Sequence, residues 1–278
     1  MTYRQICATL EHAGVEAAEW DAALLIEHFC NVRADAVRLD SNREYASDSL
    51  TEAVRRRAEH FPLQYLLGEW QFYRQTYEVS PDCLIPRADT EILVEEAIKL
   101  LPHGARFADL CTGSGCIAVS VLAERPDTRA CAVEKFTPTL ALAERNAERN
   151  GVGERLEPIC ADVLLGDALP KDGRFDAIVS NPPYISANAL KTLAPELDFE
   201  PRAALDGGED GLVFYRAMLS PYADRLTPDG FFLFEIGYDQ AEAVTALGRM
   251  AGFSVCRLIK DFGGNDRVVY LARGEAAR

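Results

Sequence analysis

The sequence predicts an α/β protein built on a doubly wound, mostly parallel sheet, preceded by a small helical domain. Three observations carry this expectation. From about Arg106 onward, short apolar runs alternate with segments of helical period. A glycine-rich turn follows the first of these runs, at the place where ligands of such sheets bind. Before residue 75, by contrast, strand-like alternation is largely missing and apolar residues recur at helical spacing.

Taken in order, Leu10, Ala13 and Ala17, then Ala22, Leu24, Leu25 and Phe29, fall on helix faces. Ser49 or Thr51 is expected to cap a further helix through Ala53, Val54 and Ala58. Gln71-Phe72-Tyr73 and Thr76-Tyr77-Glu78-Val79, with Ser80-Pro81-Asp82, suggest a hairpin or linker. Phe107 to Cys111 is the first expected strand of the sheet, followed by a helix from Ile117 to Ala123. Arg129 to Glu134 is the second, followed by a helix from Pro138 to Asn150. Arg155 to Cys160 is the third and Phe175 to Ser180 the fourth. A long loop and a helix around Leu212 to Tyr222 lead to a fifth at Gly230 to Glu235. Phe253 to Leu258 and Arg267 to Leu271 suggest two more. The expected domains are therefore 1–75 (helical), 76–92 (hairpin and linker) and 93–278 (the sheet).

Charge and composition narrow the function. The net charge is −15, with 44 acidic against 29 basic residues. Both halves share the excess, so neither offers the clustered Lys and Arg that neutralise a phosphate backbone. Direct nucleic-acid binding is not expected. No run approaches the roughly 20 apolar residues of a membrane span, and the N-terminus has no signal-peptide core. The eight cysteines contain no C-x-x-C pair and mostly sit in apolar stretches, as reduced, buried cysteines do. No metal site is expected. A cytoplasmic protein, monomeric in its simplest form, is the expectation.

Two segments carry chemistry. Asp109-Leu110-Cys111-Thr112-Gly113-Ser114-Gly115 stands where the first strand turns into a helix, and its glycines let the backbone bend and approach a ligand. Glu134 ends the second strand about twenty residues further on, where a carboxylate accepts from two ribose hydroxyls. After the third strand, Asp162 is placed to accept from an exocyclic amino group and Val163 to lie against an adenine ring; a plain helix cap is the other reading of Asp162. Together these suit an adenosine ligand without separating S-adenosylmethionine from a dinucleotide.

The fourth strand runs directly into Asn181-Pro182-Pro183-Tyr184. In a sheet ordered 3-2-1-4-5, strands one and four are neighbours, so this loop meets the reactive end of the cofactor. Two prolines fix φ and remove backbone donors, leaving carbonyl acceptors. The Asn181 side chain and the Pro182 carbonyl can accept both hydrogens of an NH2 group, while Tyr184 lies against its plane. Such a nitrogen, in an amide or aromatic amine, is a poor nucleophile because its lone pair is delocalised. Two acceptors orient it and draw electron density towards it, and an aromatic face stabilises the positive charge that develops. The four histidines all precede the first strand of the sheet, which weakens a Ser-His-Asp or His-metal mechanism.

On these residues the sequence resembles the HemK-type (PrmC) peptide chain release factor glutamine methyltransferases over essentially its whole length. Flanking segments strengthen the resemblance: Pro62-Leu63-Gln64-Tyr65-Leu66-Leu67-Gly68, Leu84-Ile85-Pro86-Arg87-Ala88-Asp89-Thr90-Glu91, and Glu200-Pro201-Arg202-Ala203-Ala204-Leu205. The resemblance implies a class I methyltransferase (Rossmann-like) sheet of order 3-2-1-4-5-7-6 and S-adenosyl-L-methionine as cofactor, with S-adenosyl-L-homocysteine as product. It implies N5-methylation of the glutamine in the Gly-Gly-Gln motif of class 1 release factors, which would be the protein partners docked by the N-terminal helices. Cys111, Thr112, Gly113, Ser114, Gly115, Glu134, Asp162, Val163 and Asn181 would bind the cofactor. Asn181, Pro182, Pro183 and Tyr184 would bind the substrate, with Asn181, Pro182 and Tyr184 catalytic. Amino-group methylation of DNA or RNA, methylation of a ribosomal-protein glutamine, or a non-catalytic adenosine-binding role are the alternatives. The family usually has Gly at Cys111, Asp at Glu134 and Pro at Ala88. Arg87 and Glu91 anchor the linker or shape the substrate channel.

Overall fold

The computed structural model describes residues 1–274, which pack as two units. The first comprises Met1–Trp70 with residues 79–81 and 194–199; the second comprises residues 71–78, 82–193 and the chain from Glu200 on. The helical region thus closes at Trp70, a few residues before the expected 75, and it recruits a short segment from far along the chain.

The first unit holds five helices: α1 (Tyr3–His12), α2 (Ala18–Cys30), α3 (Ala34–Leu39), α4 (Asp48–Ala58) and α5 (Leu63–Leu67). Thr2 and Gln5 form a reciprocal capping box at the start of α1. Ser47, not Ser49 or Thr51, caps α4, accepting from the Leu50 N–H at 3.2 Å. The helix begins one residue after Ser47, so only that hydroxyl faces the unpaired N–H groups. Ile6, Leu10, Leu25, Ile26, Leu50 and Val54 are fully or almost fully buried and form the core. At its margin the buried Arg57 donates to Asp21 at 2.7 Å, and Glu196 from the recruited segment faces Arg57 and His60.

Strands β1 (Glu69–Phe72) and β2 (Gln75–Glu78) pair as a hairpin, whose residues from Gln71 on belong to the second unit. Then follow α6 (Glu91–Leu100), β3 (Arg106–Leu110), α7 (Cys116–Glu124), β4 (Arg129–Glu134), α8 (Thr137–Arg149), β5 (Leu156–Cys160), β6 (Phe175–Ser180), α9 (Val213–Leu219), β7 (Leu226–Glu235), α10 (Ala241–Met250), β8 (Val255–Lys260) and β9 (Asp266–Ala272). The strand order is β5-β4-β3-β6-β7-β9-β8, parallel except for β9, which runs antiparallel to both neighbours. In sheet numbering this is 3-2-1-4-5-7-6, as the family resemblance implies. Alternation along the strands feeds two cores. Phe107, Ala132, Val179 and Phe231 face one side with α6 and α7. Ala108, Val133, Ile178 and Phe232 face the other with α9 and α10. Strand β7 starts at Leu226, four residues earlier than expected, because Leu226 pairs with Phe175 across a register shift. No helix among the described residues is long and apolar enough to cross a membrane.

Candidate active site

The turn after β3 is built from left-handed residues: Cys111 (φ 60°), Gly113 (φ 57°) and Gly115 (φ 79°). For Cys111 that conformation costs about 1–2 kcal/mol that a glycine would not incur. A Cβ on Gly115 would lie 3.2 Å from the Ala143 Cβ, so this glycine also lets the start of α7 approach α8. Asp109 ties the turn together: its Oδ2 accepts from the Thr112 hydroxyl at 2.7 Å and from the Ala118 N–H at 3.1 Å. Its Oδ1 is buried without a partner, and burial pushes its pKa up to about 7 against the pull of those two bonds.

Glu134 ends β4 beside this turn. Its carboxylate accepts from the N–H groups of Lys135 (2.8 Å), Phe136 (3.1 Å) and Gly113 (3.2 Å), which fix its orientation. Burial raises its pKa and those three bonds oppose the rise. Asp162 caps the short turn after β5, accepting from the Leu164 N–H at 3.0 Å, and pairs with Lys135 at 2.9 Å. Asp162 thus acts as a cap, a role that leaves its place on the cavity wall unchanged, and Val163 is buried next to it.

Strand β6 pairs with β3 (Asp109 opposite Val179), so Asn181 leaves the sheet beside the glycine turn. The Asn181 Nδ2 donates to the Thr90 hydroxyl at 3.1 Å, which places its Oδ1 on the opposite side of the amide. The Tyr184 hydroxyl reaches Glu235, at the end of β7, at 3.5 Å. Burial pushes the Tyr184 phenol well above its ordinary range and raises Glu235 to about 7, although Thr90, Arg267 and Tyr184 draw Glu235 down. The backbone after the loop folds back onto it. Ile185 N–H donates to Leu205 O (3.0 Å), Gly207 N–H to Ile185 O (2.9 Å) and Ala187 N–H to Gly208 O (2.9 Å), while Gln240 holds the Tyr184 carbonyl at 3.0 Å. A Cβ on Gly207 would stand 2.7 Å from the Tyr184 Cα, so only glycine permits this clasp.

One cavity of about 390 Å³ joins these parts, within the range of small-molecule sites. Residues 111–114, Glu134, Asp162, Val163, Asn181 and Pro183 line it. Gly115, Pro182 and Tyr184 do not. Gly115 faces α8 and Tyr184 is turned towards Glu235. Arg87 lines the cavity too and pairs with the buried Glu200, which also accepts from the Ile85 N–H at 3.0 Å. Glu91 accepts from the Tyr73 N–H at 2.8 Å and so anchors the hairpin turn. Sequence reasoning missed Thr90, Glu200 and Glu235 as site residues. Thr90 and Glu200 stood in the segments that carry the family resemblance without a role of their own, and Glu235 left a trace as the carboxylate ending the apolar run Phe231–Phe234.

Comparison with known proteins agrees with this architecture. Residues 2–68 match the PrmC N-terminal domain family and residues 88–220 the methyltransferase small domain family. A release factor glutamine methyltransferase of Caulobacter vibrioides is 38% identical over 94% of this chain and 91% of its own length. One from Geobacter sulfurreducens is 45% identical over 78% of this chain and 75% of its own. In fold, the chain resembles the hMettl16 catalytic domain (TM-score 0.58, 14% identity, 83% of this chain and 82% of that one) and a methyltransferase from Pyrococcus furiosus (0.53, 20%, 71% and 88%).

Proposed function

The chain belongs to the release factor glutamine methyltransferases, and from that membership we propose that its cavity binds S-adenosylmethionine and its Asn181–Tyr184 loop presents a release-factor glutamine for N5-methylation. The carrying observation is the adjacency of the glycine turn and this loop over one cavity. The residues present fit the cofactor. Left-handed residues 111 and 113 bring backbone to the cavity wall without crowding, and Glu134 is held as a fixed acceptor for ribose hydroxyls. Val163 supplies an apolar surface for adenine.

When bound, S-adenosylmethionine supplies an electrophilic methyl group. The protein's part is orientation and electrostatics. Asn181 Oδ1 and the Pro182 carbonyl accept the two hydrogens of the glutamine amide. This holds its nitrogen in line and favours pyramidalisation as the new N–C bond forms. Tyr184, turned towards Glu235 and outside the cavity lining, would have to swing towards the amide for its ring to stabilise positive charge on nitrogen; the extra proton leaves to solvent after transfer. No group on this chain needs to act as a strong base.

The substrate partner is a class 1 release factor, recognised at its Gly-Gly-Gln tip, with the first unit as the docking module. Incubation with labelled S-adenosylmethionine and a release factor tests the assignment. Label is expected only on the tip glutamine. Equal labelling of a factor whose tip glutamine is replaced by alanine overturns it.

A further inference from the structure

S-adenosylmethionine is more than an adenosine and a sulfonium. Its methionine arm ends in an α-carboxylate, which water solvates strongly and which a binding site must supply with donors instead. Most of the charge on the cavity wall is of the wrong sign for that group. Asp82, Glu134, Asp162 and Asp206 all line it. Among the described residues only two cations do so, Lys135 and Arg87.

Lys135 is committed elsewhere. Its ammonium pairs with Asp162 at 2.9 Å, beside Val163, at the end of the cavity that suits adenine. Arg87 stands near the reaction loop. Its carbonyl accepts from the Thr90 N–H at 3.0 Å, and the Thr90 hydroxyl touches Asn181 at 3.1 Å, so one turn of backbone separates Arg87 from the residue that meets the loop.

We propose that Arg87 receives the α-carboxylate of bound S-adenosylmethionine, with Glu200 holding its guanidinium in place. This rests on the reading of the cavity as the cofactor site. A guanidinium carries five N–H donors on a rigid fork and can serve two carboxylates at once. Glu200 takes Nη2, while Nε and Nη1 make no hydrogen bond to the described residues. The Arg87 side chain is 37% exposed, so those donors are not sealed in protein. Glu200 is the fixed partner of the pair. Its side chain is 1% exposed, and it also accepts from the Ile85 N–H at 3.0 Å. A carboxylate buried this deeply is strongly destabilising without a cation, which ties Arg87 to it. The long side chain is therefore ordered before the ligand arrives, and binding loses less rotamer freedom than a free surface arginine would. Arg87 is a binding residue on this account and Glu200 a positioning residue. A carboxylate of the release factor is the competing occupant, and the test separates the two.

The test uses the full chain and calorimetric titration with two ligands. One is S-adenosylmethionine; the other is decarboxylated S-adenosylmethionine, which keeps the sulfonium and the ammonium but lacks the carboxylate. The wild type is expected to bind the intact cofactor about 10- to 100-fold more tightly, the range for a charge-assisted bond. Arg87→Met keeps the bulk of the side chain without its donors. It is expected to erase most of that preference by weakening S-adenosylmethionine alone. Arg87→Lys keeps the charge but not the fork and is expected to fall between. Glu200→Gln is expected to reduce the preference about three- to tenfold by loosening Arg87. General damage to the cavity would instead weaken both ligands together. Where Arg87→Met does not fold, Arg87→Lys carries the comparison.

An undiminished preference in the Arg87 variants, or an equal loss for both ligands, overturns the assignment. A wild type without any preference does so too. A raised KM for the release factor at unchanged cofactor affinity moves Arg87 to the protein substrate and likewise overturns it. An undiminished preference in Glu200→Gln removes the positioning role. A wild type that binds neither ligand overturns the reading of the cavity itself, so the two failures are separable.

Discussion

The carboxylates at this site perform different tasks because their surroundings differ. Glu134 is held by three N–H groups at the cavity wall, so Glu134→Ala is expected to raise the S-adenosylmethionine dissociation constant at least tenfold, while Glu134→Asp keeps an acceptor and stays much closer to wild type. Calorimetric titration checks both, and unchanged binding in Glu134→Ala removes its ribose role. Asp109 and Glu235 are instead raised to about 7 by burial. In the unfolded chain such groups titrate near 4, so between about pH 4 and 7 the folded protein holds protons that the unfolded chain has released. Their contribution to stability is full below about pH 4 and is lost as pH rises through about 7. Urea unfolding is therefore expected to give a falling free energy from pH 5 to 8, with a flatter slope in Asp109→Asn. An identical slope in that variant shows that Asp109 is already ionised across the range. Cys111 was legible in the sequence as a departure from glycine, but the reason for glycine there, a φ of 60°, is visible only in the backbone.

At the level of elements, what could be read were the pieces that advertise themselves locally. Strands β3 to β7 are short apolar runs, and the Asn181–Tyr184 loop follows one of them directly. What supports that loop could not be read, because its partners lie far along the chain: Thr90, within the Leu84–Glu91 segment, stands ninety-one positions before Asn181, and Glu235 fifty-one after Tyr184. The segment from Ile185 to Gly211 looked like a long loop for the same reason; its order comes from backbone bonds that join its start, Ile185 and Ala187, to Leu205, Gly207 and Gly208 near its end. Gly211 illustrates this. It adopts φ 75°, and an added Cβ would meet the Tyr184 carbonyl and stand 2.6 Å from the Gln240 amide nitrogen. Gly211→Ala is expected to lower kcat at least tenfold and stability by about 1–3 kcal/mol through strain alone, with kcat and a melting curve as the readouts. In the helical unit, Arg57 and Asp21 are almost fully buried together. Arg57→Ala strands a buried carboxylate and is expected to destabilise that unit by about 3–5 kcal/mol, while the paired Arg57→Met, Asp21→Leu change loses much less. Denaturant unfolding of the full chain distinguishes them.

Across the whole molecule, the acidic balance noted in the sequence remains the main argument against a phosphate-backbone substrate, and fold likeness to the hMettl16 catalytic domain at 14% identity does not weaken it. The helical unit and the sheet unit each have their own core, as expected of parts with separate tasks. The order of strands carries one more implication. Strand β9 is inserted between β7 and β8, so among the described residues β8 has no sheet neighbour but β9. Any excursion that frees β9 must also free β8, whereas β8 can peel away alone. In amide hydrogen exchange, Val255–Lys260 should consequently never outlast Asp266–Ala272 in protection. Arg267 rides on the inner of those two strands, beside Glu235. Opening of the outer strand should thus leave the enzyme competent, while opening of the inner one should silence it before the rest of the sheet lets go.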